Sequence, residues 1–325
     1  MGGRRGSMTE SLLLRLLEVV GDEIGRMWWF FLLSIALVGI IKGYRLDLKI
    51  RNSINRAGWL GIFLAILVGM VSPLCACGIL PIIISLAMLG TPLPPLLALL
   101  ATSPVMSPDA LLLTYRGLGP EWALYKLVGA AILGLTVGLV SEVLVRRGYL
   151  AGDMVRLKPL YREDGTLASA YEIGQAGGVT VPTMTIIPRA SRLRFILDRT
   201  LDAGLFVGKW LLLAIVLEAV IVTLVPTSWL LVLVGGKHIW SVLAAALAGL
   251  PLPANQIPII PILAGLLERG MDHGAALTLL LAGPVTSLPA IVALWGMFRR
   301  RVVIVFLLTA LLVSVSLGWA LQLAL

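Results

Sequence analysis

The sequence predicts an all-α, polytopic membrane protein built from two inverted-topology repeats. The 325 residues are 59% hydrophobic and 13% charged, with a mean hydropathy of +0.99, whereas soluble domains carry about 25% charged residues. Apolar runs such as Leu205–Val225 and Val302–Leu325 reach the ~20 residues that span a bilayer. In addition, the helix-breaking residues inside the apolar sequence recur in the second half of the chain at one constant spacing.

The repeat can be aligned without a gap. Residues 75–110 and 255–290 agree at 12 of 36 positions. The helix breakers that match, inside this window or just upstream of it, are Pro73/Pro253, Pro81/Pro261, Gly90/Gly270 and Pro104/Pro284. Matching breaks in two apolar halves of one chain are typical of secondary transporters, which bind their solute at such breaks.

The chain divides into four regions. Residues 1–26 mix basic and acidic side chains, which predicts an amphipathic segment on the membrane surface. Residues 27–145 form the first transmembrane repeat, residues 146–202 a polar linker and residues 203–325 the second repeat. We predict ten apolar segments, five in each repeat: about 27–41, 57–72, 78–90, 94–114, 122–145, 203–225, 238–250, 257–268, 274–297 and 302–324.

The basic residues predict the orientation. Five Lys or Arg lie in residues 42–56, nine in the linker and three at 299–301. If the chain crosses the membrane ten times, all seventeen of these basic residues lie on one face. The positive-inside rule assigns that face to the cytoplasm, so both termini lie outside. This placement also explains the net charge of +9 without a nucleic-acid partner. Because each repeat has an odd number of segments, the second enters the membrane inverted. An eight-helix version, in which 78–90 and 257–268 only re-enter, is the alternative.

Four of the segments are short or interrupted. The third and eighth have thirteen and twelve residues, roughly 18–20 Å of helix against a hydrocarbon core of about 30 Å. The fourth and ninth are interrupted at 103–108 and 283–289. Non-helical backbone at membrane depth is tolerated only inside protein or beside a wet cavity, so we predict a site where the breaks meet. The predicted structural breaks are Pro73, Gly78, Pro81, Pro104, Pro253, Pro261 and Pro284.

These motifs resemble those of the predicted-permease family that includes the organoarsenical efflux permeases. The resemblance rests on Cys75-Ala76-Cys77-Gly78, on residues 103–108 and on residues 282–287, and it covers nearly the whole chain outside the linker. It implies a permease of the cytoplasmic (plasma) membrane and, for some members, export of trivalent methylated arsenicals. The sequence departs from the family pattern at Ala76 (usually Ser), Ser107 and Ser287 (usually Asn) and Asn255 (often Cys).

Polar side chains at the breaks are the candidate substrate ligands: Cys75, Cys77, Ser103, Ser107, Asn255, Gln256, Thr286 and Ser287. Thiolates prefer soft ions such as trivalent arsenic, although buried Cys also serves as a small packing residue. The amides of Asn255 and Gln256 would need hydrogen-bond partners at membrane depth. The Ser and Thr hydroxyls can bind a solute, or they can form hydrogen bonds with backbone groups that the breaks leave free. Because inverted repeats bring equivalent breaks together, we expect equivalent residues of the two repeats to meet in one cavity. The Cys pair would form its soft side, and Asn255 with Gln256 its polar side.

Asp109 and Glu218 are the candidates for proton coupling, because an ionisable residue inside a membrane is expensive to keep. The alternative roles are a helix cap for Asp109 and an ion pair for Glu218. Lys126 is interpreted as interfacial. No nucleotide-binding loop occurs, and two thiols without a nearby His fall short of a zinc site. We therefore expect no cofactor, no resident metal and no enzymatic activity.

Two other classes compete with a permease that moves a small solute or metalloid. A membrane-embedded thiol oxidoreductase would use Cys75 and Cys77, but it leaves the second repeat unexplained. A non-transporting accessory subunit would not need paired breaks lined with polar groups. The expected partners are the lipid bilayer and a small-molecule or metalloid substrate.

Overall fold

The computed structural model describes residues 59–72, 91–150, 239–249 and 256–324, together with residues 21, 25, 79–80, 82–83, 86–87, 212–213 and 216. This part of the chain is almost entirely helical, which confirms the all-α class. The first half contains α1 (Trp59–Val71), α2 (Leu93–Thr102), α3 (Pro108–Leu118) and α4 (Pro120–Arg146). The second half contains α5 (Ile239–Ala248), α6 (Gln256–Glu268), α7 (His273–Thr286), α8 (Leu288–Met297) and α9 (Arg300–Ala324).

Several predicted regions lie outside the described residues. These are most of the amphipathic segment 1–26, the first apolar segment 27–41, all but the first five residues of the linker 146–202 and most of the segment 203–225. Their predicted roles and boundaries stay predictions.

Helices in the two halves begin at equivalent positions of the repeat alignment. The pairs of first residues are Leu93/His273, Pro108/Leu288 and Pro120/Arg300. The predicted fourth and ninth segments are each divided in two, into α2 and α3 and into α7 and α8. The gaps between these helices thus fall within the predicted interruptions 103–108 and 283–289. Pro261 and Pro284, which the sequence suggested as breaks, lie inside α6 and α7, and α7 continues past Pro284 to Thr286.

Equivalent helices also pack through equivalent residues. A Cβ atom on Gly138 of α4 would run into α1 and α2, and one on Gly318 of α9 would run into α5 and α7. Without side chains, these glycines let neighbouring helices approach closely. The residues that meet in each half are three pairs matched by the repeat alignment: Gly138/Gly318, Ile62/Val242 and Ala98/Thr278.

The divided helices lie at the centre of the protein. All ten residues of α2 are buried, and so are all residues of α7 from Gly274 to Thr286. A helix that is apolar and buried on all sides belongs to the interior of a bundle. Any site at the ends of α2 and α7 is therefore enclosed by protein.

The outer helices carry an apolar surface. Leu60 and Leu67 of α1 and Leu308 and Leu312 of α9 are 57–70% exposed, which is a liability in water and is expected against lipid. By length and composition, three described stretches can cross a membrane: Pro120–Arg146, His273–Val292 and Arg300–Ala324. The protein is thus a multi-pass membrane protein.

Candidate functional site

The two helix breaks share the backbone geometry of their last residue, although α2 ends at Thr102 and α7 continues to Thr286. Ser107 precedes α3 with φ −59° and ψ 141°, and Ser287 precedes α8 with φ −59° and ψ 144°. Each serine is an N-cap residue, and neither side chain makes a hydrogen bond that caps its helix. Proline follows at the first position of α3 and the second position of α8, where its missing N–H has no helical partner to lose. Ser107 and Ser287 are themselves equivalent positions of the two repeats.

Local hydrogen bonds end α2 and close the first break. The backbone N–H groups of Val105 and Met106 both donate to the Thr102 carbonyl, at 3.2 and 3.0 Å. The Thr102 hydroxyl donates back to the Ala98 carbonyl at 3.0 Å. Pro104 has no N–H to continue the helix, so the chain turns here and restarts at Pro108.

The hydroxyls on either side of the second break differ. Thr286 Oγ1 donates to the Ala282 carbonyl at 2.9 Å and so serves the backbone. Ser287 is fully buried, and its Oγ has no hydrogen-bond partner within the described residues. Such a buried polar atom is uncommon and calls for an explanation.

Equivalent breaks of the two repeats line one small pocket. Its lining contains Pro104 from the first break and Pro284 from the second, which match each other in the repeat alignment. Pro104 and Pro284 therefore border the same space. All the lining residues are apolar: Leu80, Leu100, Pro104, Pro284, Val285, Ala290, Leu294 and Phe306.

The predicted ligand residues are placed as follows. Ser103, Ser107, Thr286 and Ser287 are all buried at the breaks. Pro261 lies inside α6, where it is exposed. The backbones of Asp109 and Gln256 belong to α3 and α6, but their side chains lie outside the described residues. Also outside the described residues are Pro73, Cys75, Cys77, Gly78, Pro81, Glu218, Pro253 and Asn255.

Lys126, which the sequence suggested to be interfacial, is enclosed by protein. It is 0% exposed, and its ammonium donates hydrogen bonds to the Ala110 carbonyl at 3.3 Å and to Thr114 Oγ1 at 3.1 Å. These partners belong to the first two turns of α3, directly after the first break. A buried charge must be held by such partners. The sequence signal was a lysine inside an apolar run, which marks functional sites in membranes.

In the second repeat the position of Lys126 is taken by Phe306. The positions of Ala110 and Thr114 are taken by Ala290 and Leu294. The three residues joined by hydrogen bonds in the first repeat therefore correspond to three residues that line the pocket in the second. Two of these positions carry polar side chains in the first repeat and apolar side chains in the second.

A contact between the repeats lies at the start of α7, the end of that helix that is far from the break. The Trp122 ring stacks on the His273 ring, with centroids 5.7 Å apart and planes inclined by 16°. Asp272 caps α7 by accepting hydrogen bonds from the N–H groups of Gly274 at 2.7 Å and Ala275 at 3.4 Å. This N-cap fixes the start of α7 and with it the position of His273.

Comparison with known proteins identifies a matching family and several relatives. The family model described as a predicted permease, ArsP_1, matches residues 14–323. UPF0718 protein YcgR of Bacillus subtilis is 25% identical over 292 residues, which cover 90% of this chain and 91% of the relative. UPF0718 protein MJ0584 of Methanocaldococcus jannaschii is 21% identical over 301 residues, which cover 82% of each chain.

A protein of Streptococcus mutans, named as a subunit of a two-component membrane permease complex, is 26% identical over 145 residues, which cover 44% of this chain and 47% of the relative. No solved structure matches the chain. Because the family model covers nearly the full length, the chain belongs to the predicted-permease family, as its motifs suggested.

Proposed function

We propose that this chain is a secondary permease that moves a small solute through a cavity between its two helix breaks. The observation that carries the proposal is the pocket shared by Pro104 and Pro284. Breaks deep in a membrane protein free backbone groups that can bind a solute, and here both breaks adjoin one space. The family's description as permeases supports transport rather than catalysis.

We infer further that the two repeats are inverted. Helices α4 and α9 occupy equivalent positions in the repeats and pack against each other. The Arg301 guanidinium, at the start of α9, lies 5.6 Å from the centroid of the Tyr149 ring, just after the end of α4. Equivalent neighbouring helices that run in opposite directions support an inverted relation.

The proposed solute is a metalloid or organoarsenical species bound by Cys75 and Cys77. The family resemblance motivates this choice, since trivalent arsenic prefers thiolates. Leu80, three residues after Cys77 in the sequence, lines the pocket. Asn255 and Gln256 precede or begin α6 at the equivalent position and would bind the polar part of the solute. Asp109 and Glu218 are the proposed coupling carboxylates.

Transport by proteoliposomes tests the solute. Wild-type protein should move methylarsenite, and Cys75→Ser or Cys77→Ser should abolish this because oxygen is a poor replacement for thiolate. Ser316→Ala is a matched control, because that exposed hydroxyl bonds only its own helix, at Val313. Full transport activity of both Cys variants would refute binding of the solute by the two thiolates. Asn255→Leu then tests the cavity itself, since it should still stop transport of any solute that the amide binds.

The same assay tests coupling. Asp109→Asn or Glu218→Gln should remove the dependence of accumulation on a pH gradient while binding persists, because neither amide carries a titrating proton. An unchanged dependence in both variants would reduce these residues to structural partners.

A second candidate is an obligate subunit of a two-part permease. It is favoured by the name of the Streptococcus mutans relative, which describes a two-component complex. Transport by the purified single chain would refute it. Transport only after a second membrane protein co-purifies would support it.

A further inference from the structure

We propose that Lys126 is a positioning residue of the permease, whose ammonium fixes the start of α3 and with it the geometry of the first break. The proposal rests on the permease function above and deepens it, because it names a residue outside the pocket on which transport depends. Three observations carry it: the bends at both ends of α3, the hydrogen bonds from Lys126, and the residues at the equivalent positions of the second repeat.

Helix α3 is joined to its neighbours by a bend at each end. Before it, the chain turns between Thr102 and Pro108, and this turn is closed by its own backbone hydrogen bonds. After it, Gly119 has φ 104° and ψ 173°, a backbone conformation that glycine adopts readily and other residues rarely. Because α3 is not continuous with α2 or α4, its eleven residues take their position from contacts along its side.

Lys126 makes such contacts at the first two turns of α3. Its ammonium donates to the Ala110 carbonyl at 3.3 Å and to Thr114 Oγ1 at 3.1 Å, and Thr114 Oγ1 donates to the same carbonyl at 2.7 Å. Ala110 is the third residue of α3, and the next N–H, of Leu111, donates to the Ser107 carbonyl at 2.9 Å. Lys126 is thus tied, through the first turn of α3, to Ser107 at the break.

The last turn of α3 is held by a different contact. A Cβ atom on Gly117 would lie 2.9 Å from Ile260 Cγ2 of α6, so α3 approaches the second repeat closely there. This contact is apolar and lies at the far end of the helix from the break. The first turn of α3 therefore depends on α4, and Lys126 provides the polar part of that contact.

The second repeat shows that packing at these positions does not need a charge. The equivalent residues are Ala290, Leu294 and Phe306, all of which are buried. Apolar side chains thus occupy the contact between α8 and α9, whereas a buried ammonium carries a desolvation cost that they avoid. An ionisable side chain enclosed in a membrane bundle indicates a functional role. The charge of Lys126 therefore serves transport, through the position of α3.

Two variants separate positioning from stability. Lys126→Met removes the ammonium, and Thr114→Val/Lys126→Met replaces both hydrogen-bonding side chains with apolar ones of similar shape. Because replacing both partners leaves neither unpaired, the double variant should melt no lower than Lys126→Met. Both variants should nevertheless move methylarsenite across proteoliposome membranes at least about tenfold more slowly than the wild type, since a small misplacement at a site lowers its rate steeply. Arg146→Met, which removes an exposed basic side chain from the same helix, should transport at the wild-type rate.

Hydrogen–deuterium exchange of the full-length protein in detergent tests the position of α3 directly. In Lys126→Met and in the double variant, peptides from residues 108–118 should exchange faster than in the wild type, while peptides from residues 288–297 stay unchanged. The reason is that amides exchange when their helix opens locally, and α3 loses its bonds to Lys126 whereas α8 keeps its contacts with α9.

Transport at the wild-type rate in the double variant would reduce Lys126 to a structural residue and overturn the proposal. Unchanged exchange over residues 108–118 in Lys126→Met would overturn it as well. If Lys126→Met does not fold, Thr114→Val provides the second test, because it removes one of the two acceptors and should loosen α3 and slow transport to a smaller degree. Wild-type protein that moves no methylarsenite would refute the proposed transport and with it the transport role of Lys126, whereas exchange over residues 108–118 would still decide whether Lys126 fixes α3.

Discussion

Polar side chains in this bundle are held mainly by backbone carbonyls. Thr102, Thr278 and Thr286 each donate to the carbonyl four residues earlier, which satisfies a hydroxyl inside an apolar helix. Thr278 Oγ1 also reaches the Ser314 carbonyl of α9 at 3.2 Å, so one hydroxyl links two helices. Ser287 departs from this pattern, and the departure is what marks it as a candidate ligand.

Lys126 should contribute to stability through its hydrogen bonds across to α3. Lys126→Met keeps an unbranched apolar body but removes both bonds from the ammonium. Bonds to a charged group contribute about 1.5–3 kcal/mol each, and relief from burying a charge offsets part of this. We expect a net loss of about 2 kcal/mol and a larger loss for Lys126→Ala, which also leaves a cavity. Thermal unfolding in detergent measures both.

Arg146→Met is the control for this prediction. Arg146 pairs with Glu142 at 2.7 Å, but its side chain is 62% exposed, and such pairs contribute at most about 0.5 kcal/mol. An equal effect of Arg146→Met and Lys126→Met on the melting temperature would contradict the assigned role of Lys126.

Among the elements, the helices pack through small residues because lipid offers no hydrophobic force to drive helices together. At Gly318 of α9, an added Cβ would overlap Thr278 Oγ1 and the Gly274 carbonyl of α7. At Gly134 of α4, it would overlap the Thr102 side chain of α2. These close approaches hold the divided helices α2 and α7 against α4 and α9. The positions of the breaks depend on them.

Gly318→Ala should therefore destabilise the protein by about 2 kcal/mol or more, because the overlapped carbonyl is backbone and cannot swing aside. Gly265→Ala in α6 is the matched control, since no atom lies within 4 Å of its added Cβ. There the methyl should stabilise by up to about 1 kcal/mol through helix propensity. Melting temperatures that move equally in the two variants would contradict the close approach of α7 and α9.

For the whole molecule, the charge pattern and the helix packing point to the same face. Arg146 and Arg147 end α4, and Arg301 begins α9 beside Tyr149. The basic ends of two neighbouring helices thus lie together, as expected at a cytoplasmic surface. The apolar exposed faces of α1 and α9 would then lie against lipid.

Labelling of single cysteines tests this orientation. Ala170→Cys in a Cys75→Ala/Cys77→Ala background should resist a membrane-impermeant thiol reagent in intact cells and react after permeabilisation. The reason is that residues 146–202 contain nine Lys or Arg residues, and loops rich in basic residues stay on the cytoplasmic side of the membrane. A cysteine introduced near the C-terminus should behave in the opposite way. Labelling of position 170 in intact cells would overturn the predicted topology.

The amino-acid sequence by itself determined the all-α membrane class and located the interruptions of two apolar segments. Hydropathy and proline act over a few residues, so they could be read locally. The predicted interruptions in segments four and nine appear as the gaps between α2 and α3 and between α7 and α8. After these gaps the two helices α3 and α8 restart at equivalent positions of the repeat, Pro108 and Leu288.

Only the tertiary structure decided which groups are enclosed and what they touch. Lys126 lies near the aromatic residues Trp122 and Tyr125, a pattern that also suits a membrane interface, and it is buried only because α3 folds back over α4. Pro104 and Pro284 line one pocket because α2 and α7 both occupy the centre of the bundle. The unpartnered hydroxyl of Ser287 likewise depends on the packing around it. Burial and hydrogen-bond partners depend on contacts between segments that are far apart in the chain. Local sequence patterns do not specify these contacts.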